Sequence, residues 1–148
     1  MNDKNYYKEG DSRDVKILLA EDNPMNQKLA ELILRQLGYQ VDIVNDGREA
    51  LAALKMTRYD IILMDIQMPE VDGLEATRMI RDPKSDVCNH EVPIIAMTAL
   101  VMEEESEQFF DAGMNDYVSK PFDPGKLDKI IKKYIALQGH QRKISDDE

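Results

Sequence analysis

Short apolar runs alternate along the chain with longer stretches whose apolar residues recur every three or four positions, a pattern that predicts strands and helices in turn. Val15-Lys16-Ile17-Leu18-Leu19-Ala20 reads as a first strand and ends in Glu21-Asp22. Asn23-Pro24 then supplies an N-cap and a proline at the first helical position. Met25, Leu29, Leu32, Ile33 and Leu37 follow at helical spacing, and Gly38 closes that helix. Val41-Asp42-Ile43-Val44 is a short second strand. Asp46-Gly47-Arg48-Glu49 has the form of a capping box, ahead of Ala50, Leu51 and Leu54 on a second helix. Ile61-Ile62-Leu63-Met64 has no polar partner, so it reads as a strand buried on both faces of a parallel sheet. It stops at Asp65, and Met68-Pro69 and Asp72-Gly73 punctuate the turn that follows. Asp72-Gly73-Leu74-Glu75 repeats the capping pattern before a third helix carrying Leu74, Met79 and Ile80.

From Asp82 to Val92 the chain is polar and reads as a surface loop. Pro93-Ile94-Ile95-Ala96-Met97-Thr98 forms a fourth strand ending in a hydroxyl. Met102 to Ala112 is a helix held by Met102, Phe109 and Phe110, with its glutamates suited to a helix N-terminus. Gly113 terminates it, Asp116-Tyr117-Val118-Ser119 is a fifth strand, and Asp123-Pro124 caps a last helix with Leu127, Ile130, Ile131 and Tyr134 on one face. Strict alternation of this kind predicts a doubly wound (βα)5, flavodoxin-like α/β domain. It has three layers and a parallel five-stranded sheet in the order 2-1-3-4-5. The expected domain runs over 15–137, between a polar N-terminal tail, 1–14, and a polar C-terminal tail, 138–148.

With 148 residues, 43% of them hydrophobic, the chain suits one domain with a full core. A net charge of -10 argues against direct binding to nucleic acid, whose backbone requires a Lys/Arg face. No apolar run approaches the roughly 18 residues of a membrane span, and Met1 to Asp14 does not resemble a signal peptide, so a cytoplasmic setting is expected. Cys88 is the only cysteine, and His90 and His140 lie far apart, which leaves no disulfide and no zinc pattern. Met56, Met64, Met79 and Met97 read as core filler.

The strand ends carry the chemistry. Glu21-Asp22 closes the first strand, Asp65 the third, Thr98 the fourth, and the fifth runs into Lys120-Pro121. In the expected sheet order these strands are neighbours, so three carboxylates, a hydroxyl and an ammonium converge on the edge where open α/β sheets bind ligands. Three like charges raise one another's pKa values unless a cation sits among them, and one lysine does not balance three acids. A hard divalent cation does, and Mg2+ suits a site of one or two carboxylates that retains waters and accepts phosphate oxygens. Singly, each residue also has an ordinary reading: Asp22 as a helix N-terminal charge, Thr98 as a strand-end hydroxyl, Lys120 as a snorkelling surface lysine, Tyr117 as a half-buried strand residue.

Taken together, Glu21-Asp22, Asp65, Thr98 and Lys120-Pro121, with Met68-Pro69 and Asp72-Gly73, resemble the response-regulator receiver domain of two-component phosphorelays over roughly Val15 to Leu137. The wording of Glu21-Asp22-Asn23-Pro24-Met25-Asn26 and Asp65-Ile66-Gln67-Met68-Pro69 is most similar to receivers of hybrid sensor histidine kinases. The resemblance implies that Asp65 takes a phosphoryl group from a phosphohistidine as an acyl phosphate. It implies Mg2+ on Asp22, Asp65 and the Gln67 backbone carbonyl, with Glu21 acting mainly through water. Lys120 and Thr98 are implied as phosphoryl-binding groups. Thr98 and Tyr117 are implied as a switch that alters the surface of the fourth helix, fifth strand and fifth helix, through which many such domains dimerise when phosphorylated. Gln67 and Leu100 are implied to tune the phosphoryl lifetime, and Lys120-Pro121 to be a cis peptide.

His90 in a loop and His140 in a polar tail do not resemble a phosphodonor histidine, so the implied partner is a histidine kinase or histidine phosphotransfer protein. The chain is either a stand-alone regulator or the receiver of a hybrid kinase. Two other readings stand beside this one. A pseudo-receiver would use the fold as a binding module without phosphorylation, but such modules typically lose an acid or the lysine. A phosphohydrolase of the haloacid dehalogenase type also uses a strand-end aspartate. It normally carries a second acid two residues on, where this chain has Gln67.

Overall fold

The computed structural model describes residues 14–99 and 103–146, and side chains over 14–99 and 106–138. In chain order the elements are β1 (Lys16–Ala20), α1 (Pro24–Gln36), β2 (Gln40–Val44), α2 (Gly47–Met56), β3 (Ile61–Asp65), α3 (Gly73–Arg81), β4 (Ile94–Thr98), α4 (Glu103–Ala112), β5 (Asp116–Ser119) and α5 (Pro124–Asp146). The strands form one parallel sheet in the order β2-β1-β3-β4-β5, the doubly wound arrangement that the alternation predicts.

The two-residue period of the central strands divides the core. Ile17 and Leu19 of β1, Ile61 and Leu63 of β3, and Ile95 and Met97 of β4 pack with Ala30, Ile33 and Leu34 of α1 and Leu127 and Ile131 of α5. The alternate residues Leu18, Ala20, Ile62, Met64, Ile94 and Ala96 face Ala50, Leu51 and Leu54 of α2, Ala76 and Ile80 of α3, and Phe109 of α4. Every residue of β3 is buried. Full burial of each large aliphatic side chain contributes about 1.5–3 kcal/mol, so the central strands anchor the domain.

Local signals set the helix starts. Asn23 accepts from the backbone N–H groups of Met25 and Asn26, Asp46 from that of Glu49 and Asp72 from that of Glu75. The expected capping box at α2 takes a variant form, because the Glu49 carboxylate accepts from the backbone N–H of Asn45 rather than from that of the cap residue.

Three expectations about apolar residues are corrected. Met25, Leu29 and Leu32 of α1 are exposed; of the expected set Ile33 is buried and Leu37 half-buried, and Ala30 and Leu34 complete the buried arc. A helix that is apolar around much of its circumference buries only the arc facing the sheet, and spacing alone does not choose the arc. Met56 and Met79 lie on the surface, while Met64 and Met97 fill the core. On α4, Phe109 is buried and Phe110 is 48% exposed; Met102 lies outside the described residues. The helix α5 also continues to Asp146, through the stretch expected as a polar tail, and no proline beyond Pro124 interrupts it.

The register places the chemistry. Ala20 of β1 is level with Met64, Asp65 with Met97, and Thr98 with Ser119. Glu21-Asp22, Asp65, Thr98 and Lys120 therefore emerge on one edge. Gly73 lets α3 begin directly behind Asp65: its N–H donates to the Ile66 carbonyl, and a Cβ there would lie 2.2 Å from the Asp65 carbonyl oxygen. Gly73→Ala is expected to lower unfolding stability by about 1–3 kcal/mol, the usual cost of overpacking against unyielding backbone. Gly125→Ala is the control, because its Cβ would meet only the Asp123 side chain at 3.4 Å. Urea unfolding of both variants checks this, and equal losses would remove the close-approach explanation.

Candidate functional site

The carboxyl edge of the sheet opens into a cleft of about 550 Å³ lined by Glu21, Asp22, Asn23, Asn26, Asp65, Gln67, Thr98, Gln108 and Lys120. The β1 end supplies the acidic pair, the β3 end Asp65, the β4 end Thr98, and the first residue after β5 is Lys120. Carboxylate oxygens of Glu21, Asp22 and Asp65 all lie within 4.8 Å of one another, the one such acidic cluster among the described residues.

Burial differs sharply within this cluster. Glu21 is 1% exposed and Asp65 5%, whereas Asp22 is open to solvent. Glu21 is already engaged at both oxygens: Oε1 accepts from Lys120 Nζ at 2.8 Å, and Oε2 from the Asn23 backbone N–H at 3.0 Å. The Lys120 ammonium is 3.3 Å from Asp65 Oδ2, and the Gln67 backbone N–H donates to Asp65 Oδ1 at 3.3 Å. Lys120 thus bridges Glu21 and Asp65. That bridge joins residues 99 positions apart, beyond the reach of any sequence pattern.

Electrostatics follow from the crowding. Burial, and then the neighbouring Glu21 charge, push the Asp65 carboxyl up to about 6, although Lys120 and the Gln67 N–H pull the other way. Burial disfavours the Lys120 ammonium, but its contacts with Glu21 and Asp65 outweigh that cost and hold its pKa above the ordinary value. At neutral pH the cleft therefore holds more negative charge than its lysine neutralises. The donor set is all oxygen, with an exposed carboxylate facing two buried ones, and it fits a hard divalent cation such as Mg2+.

Thr98 lines the same cleft, and its carbonyl accepts from the Lys120 backbone N–H at 2.8 Å. The Lys120–Pro121 peptide is cis. Tyr117 lies outside the cleft lining, half-buried on β5; its ring meets Phe109 edge-on at 6.0 Å between centroids and Phe110 at 6.4 Å. Leu100 lies outside the described residues. Asn26 and Gln108 line the cleft although the sequence reading did not single them out. For Asn26 a signal existed, since it falls one turn after the cap Asn23; Gln108 had none, because its reach depends on how α4 is set against the sheet.

A buried strand-end aspartate beside two acids and a lysine, on the carboxyl edge of a doubly wound sheet, is the arrangement that the resemblance to receiver domains implies. The sequence profile of the response regulator receiver domain matches residues 17–132, and the chain belongs to that family, acting in two-component phosphorelays. It is 45% identical over 126 residues to hybrid signal transduction histidine kinase I of Dictyostelium discoideum, covering 82% of this chain and 7% of that kinase. Among solved structures, the receiver domain of sensor histidine kinase PA1611 from Pseudomonas aeruginosa, crystallised with magnesium in its active-site cleft, is 45% identical. Its TM-score is 0.74, over 82% of this chain and 98% of that one. The Ssk1 receiver of Saccharomyces cerevisiae, in complex with the histidine phosphotransfer protein Ypd1, is 29% identical with a TM-score of 0.74, over 84% of this chain and 90% of that one. The chain spans a small fraction of the curated relatives that it matches. No helix among the described residues is long and apolar enough to cross a membrane.

Asp65 gives a pH-dependent prediction for the metal-free protein. Its folded pKa, about 6, lies above the ordinary carboxylate value of 3.8, so the folded state holds the proton longer than the unfolded one. Ionising Asp65 therefore costs stability as pH rises from about 4 through about 6. Asp65→Asn is expected to gain on the wild type across that window and to be the more stable protein above it. Unfolding free energies of both proteins from pH 4 to pH 8 check this, and a variant less stable at neutral pH contradicts the account of crowding.

Proposed function

We propose that Asp65 is the phosphoacceptor of this receiver and that the surrounding residues carry out transfer from a phosphohistidine. The observation that carries the reading is the convergence of buried Asp65 with Glu21, Asp22 and Lys120 in one cleft at the sheet edge. An Asp65 carboxylate oxygen attacks phosphorus, an O–P bond forms, the donor's N–P bond breaks, and the imidazole leaves with the electron pair. Phosphoryl transfer of this kind asks a protein mainly for in-line positioning and neutralisation of charge.

Asp22, Asp65 and the Gln67 carbonyl would hold Mg2+, with Glu21 behind them. The neighbouring receiver that was crystallised with magnesium in its cleft supports this assignment. When bound, the cation would offset the negative charge shared by the acids and the incoming phosphoryl group. Lys120 sits within 3.3 Å of the acceptor carboxylate and would follow the charge onto a phosphoryl oxygen. Thr98, on the same lining, would donate to another oxygen. Tyr117 beneath α4 would register that inward pull, changing the α4-β5-α5 face on which Phe110 is half exposed. Gln67 borders the approach to Asp65 and would set how long the acyl phosphate lasts.

The donor is read as a histidine kinase or histidine phosphotransfer protein, as the Ssk1 receiver's complex with Ypd1 suggests. Its seat would be the outer face of α1. Met25, Leu29 and Leu32 repeat at helical spacing there and stay exposed, while Asn23 and Asn26 of the same segment line the cleft. An apolar stripe beside the acceptor suits a helical surface that presents a phosphohistidine. The identity to hybrid kinases favours a receiver carried in such a chain.

Intact mass after incubation with acetyl phosphate and Mg2+ tests the acceptor. The wild type is expected to gain one phosphoryl group that is lost on mild base treatment, and Asp65→Asn to gain none; an adduct on the variant would move the acceptor elsewhere. Leu29→Asp separates donor docking from chemistry. It should slow transfer from a phosphorylated histidine phosphotransfer domain about tenfold or more, the effect of losing ~1.4 kcal/mol at an interface anchor. Labelling by acetyl phosphate should be unchanged; equal loss with both donors would withdraw the docking assignment.

A further inference from the structure

The acids that face the cleft are held from behind by residues that do not line it. The Gln27 side-chain amide, on the first turns of α1, donates to the backbone carbonyl of Glu21 and to Asn45 Oδ1, the latter at 2.8 Å. Asn45, in the turn before α2, is itself fixed, because its backbone N–H and side-chain amide both donate to Glu49 Oε1, at 2.8 and 3.2 Å. A continuous hydrogen-bonded chain therefore runs from Glu49 through Asn45 and Gln27 to the peptide joining Glu21 to Asp22. The start of α2 also holds the opposite arm of the site. The Gly47 N–H donates to the Val71 carbonyl at 3.1 Å, and a Cβ on Gly47 would lie 2.4 Å from that oxygen. The loop that carries Gln67 away from Asp65 rests on the same helix end as the loop that carries Glu21 and Asp22.

We propose that Gln27 is a positioning residue of the acidic site: hooked on Asn45, it fixes the orientation of the Glu21–Asp22 peptide and so presents Asp22 to the cation. This rests on the reading of the cleft as a Mg2+ site. Asp22 is the exposed member of the cluster and has no ion pair among the salt bridges of the described residues, so its backbone must supply the order that packing supplies to Glu21 and Asp65. A carbonyl that accepts a hydrogen bond from a tethered amide is held in one orientation, and groups that orient metal ligands in this way commonly govern affinity.

The test uses Gln27→Met, which keeps the length of the side chain and loses the donor, with Gln27→Glu, Asn45→Ala, and Ile33→Val on the buried side of α1 as a control for stability. Calorimetric titration with Mg2+ is expected to show about tenfold weaker binding for both Gln27 variants, the lower end of the effect of removing a group that orients a ligand. Asn45→Ala should give part of that loss, and Asn45→Ala combined with Gln27→Met no more than Gln27→Met alone. Labelling by acetyl phosphate should need more Mg2+ for half-saturation yet approach the wild-type rate when the metal saturates. The nitrogen resonance of the Asp22 amide should shift in the metal-free Gln27 variants and not in Ile33→Val.

Affinity within about twofold of wild type for Gln27→Met, an ordinary scatter beside the expected effect, overturns the proposal. So does a loss equalled by Ile33→Val. If the Gln27 variants fail to fold, the exposed Asn45→Ala decides on the same criteria. A wild type that takes up no Mg2+ sinks the cation-site reading and this proposal with it, and that result is distinct from a wild type that binds while the variants bind equally well.

Discussion

One ammonium shared between two buried carboxylates is the constraint on which the site depends. Lys120 reaches Glu21 at 2.8 Å and Asp65 at 3.3 Å, and neither acid has solvent to turn to. Burying a charge is tolerable only when it is paired, and here a third carboxylate stands within the same 4.8 Å cluster. The edge is consequently short of positive charge, and Asp65 holds its proton up to about pH 6. A site left short in this way is suited to additional cationic charge. The crowding that makes Asp65 costly to ionise goes with its place beside the lysine, whose ammonium lies 3.3 Å from Oδ2.

The fold delivers these groups through register. Because β1, β3, β4 and β5 are parallel neighbours, their ends arrive at the same level without any loop having to reach across the sheet. The apolar residues of β3, buried on both faces, fix that level, since a slip of one residue would exchange the two cores and move Asp65 away from Glu21. Gly73 extends the constraint to the next helix by letting its first turn touch the Asp65 backbone. Stability and site geometry thus draw on the same interactions at the strands and diverge only where the chain leaves the sheet.

The sequence made legible whatever is carried by local pattern. Strand order, the caps at Asn23, Asp46 and Asp72, and the convergence of Glu21, Asp22, Asp65, Thr98 and Lys120 all follow from alternation, punctuation and the ends of apolar runs. Patterns failed where two local solutions were equivalent. Met25, Leu29 and Leu32 keep helical spacing as well as Ala30, Ile33 and Leu34 do, and only the fit against β1 and β3 decides which arc is buried. Met56 and Met79 failed for the same reason at helix surfaces. The Lys120–Glu21 bridge and the Gln27–Asn45 hook join residues distant in sequence through single side-chain bonds, which leave no periodic trace.

Support around the cleft is unevenly distributed, with backbone braces on one side and ring contacts on the other. Glu21 and Asp65 are locked by burial and by Lys120, and the Glu21–Asp22 peptide and the loop after Asp65 are both braced on the start of α2. On the other side, Tyr117 meets α4 through Phe109 and Phe110, ring contacts that can repack at little cost compared with breaking a backbone brace. A charge placed on Asp65 would then find rigid acids on the β1 side and yielding aromatics on the β5 side. A response to such a charge should therefore propagate toward α4 and β5 rather than toward α1 and α2.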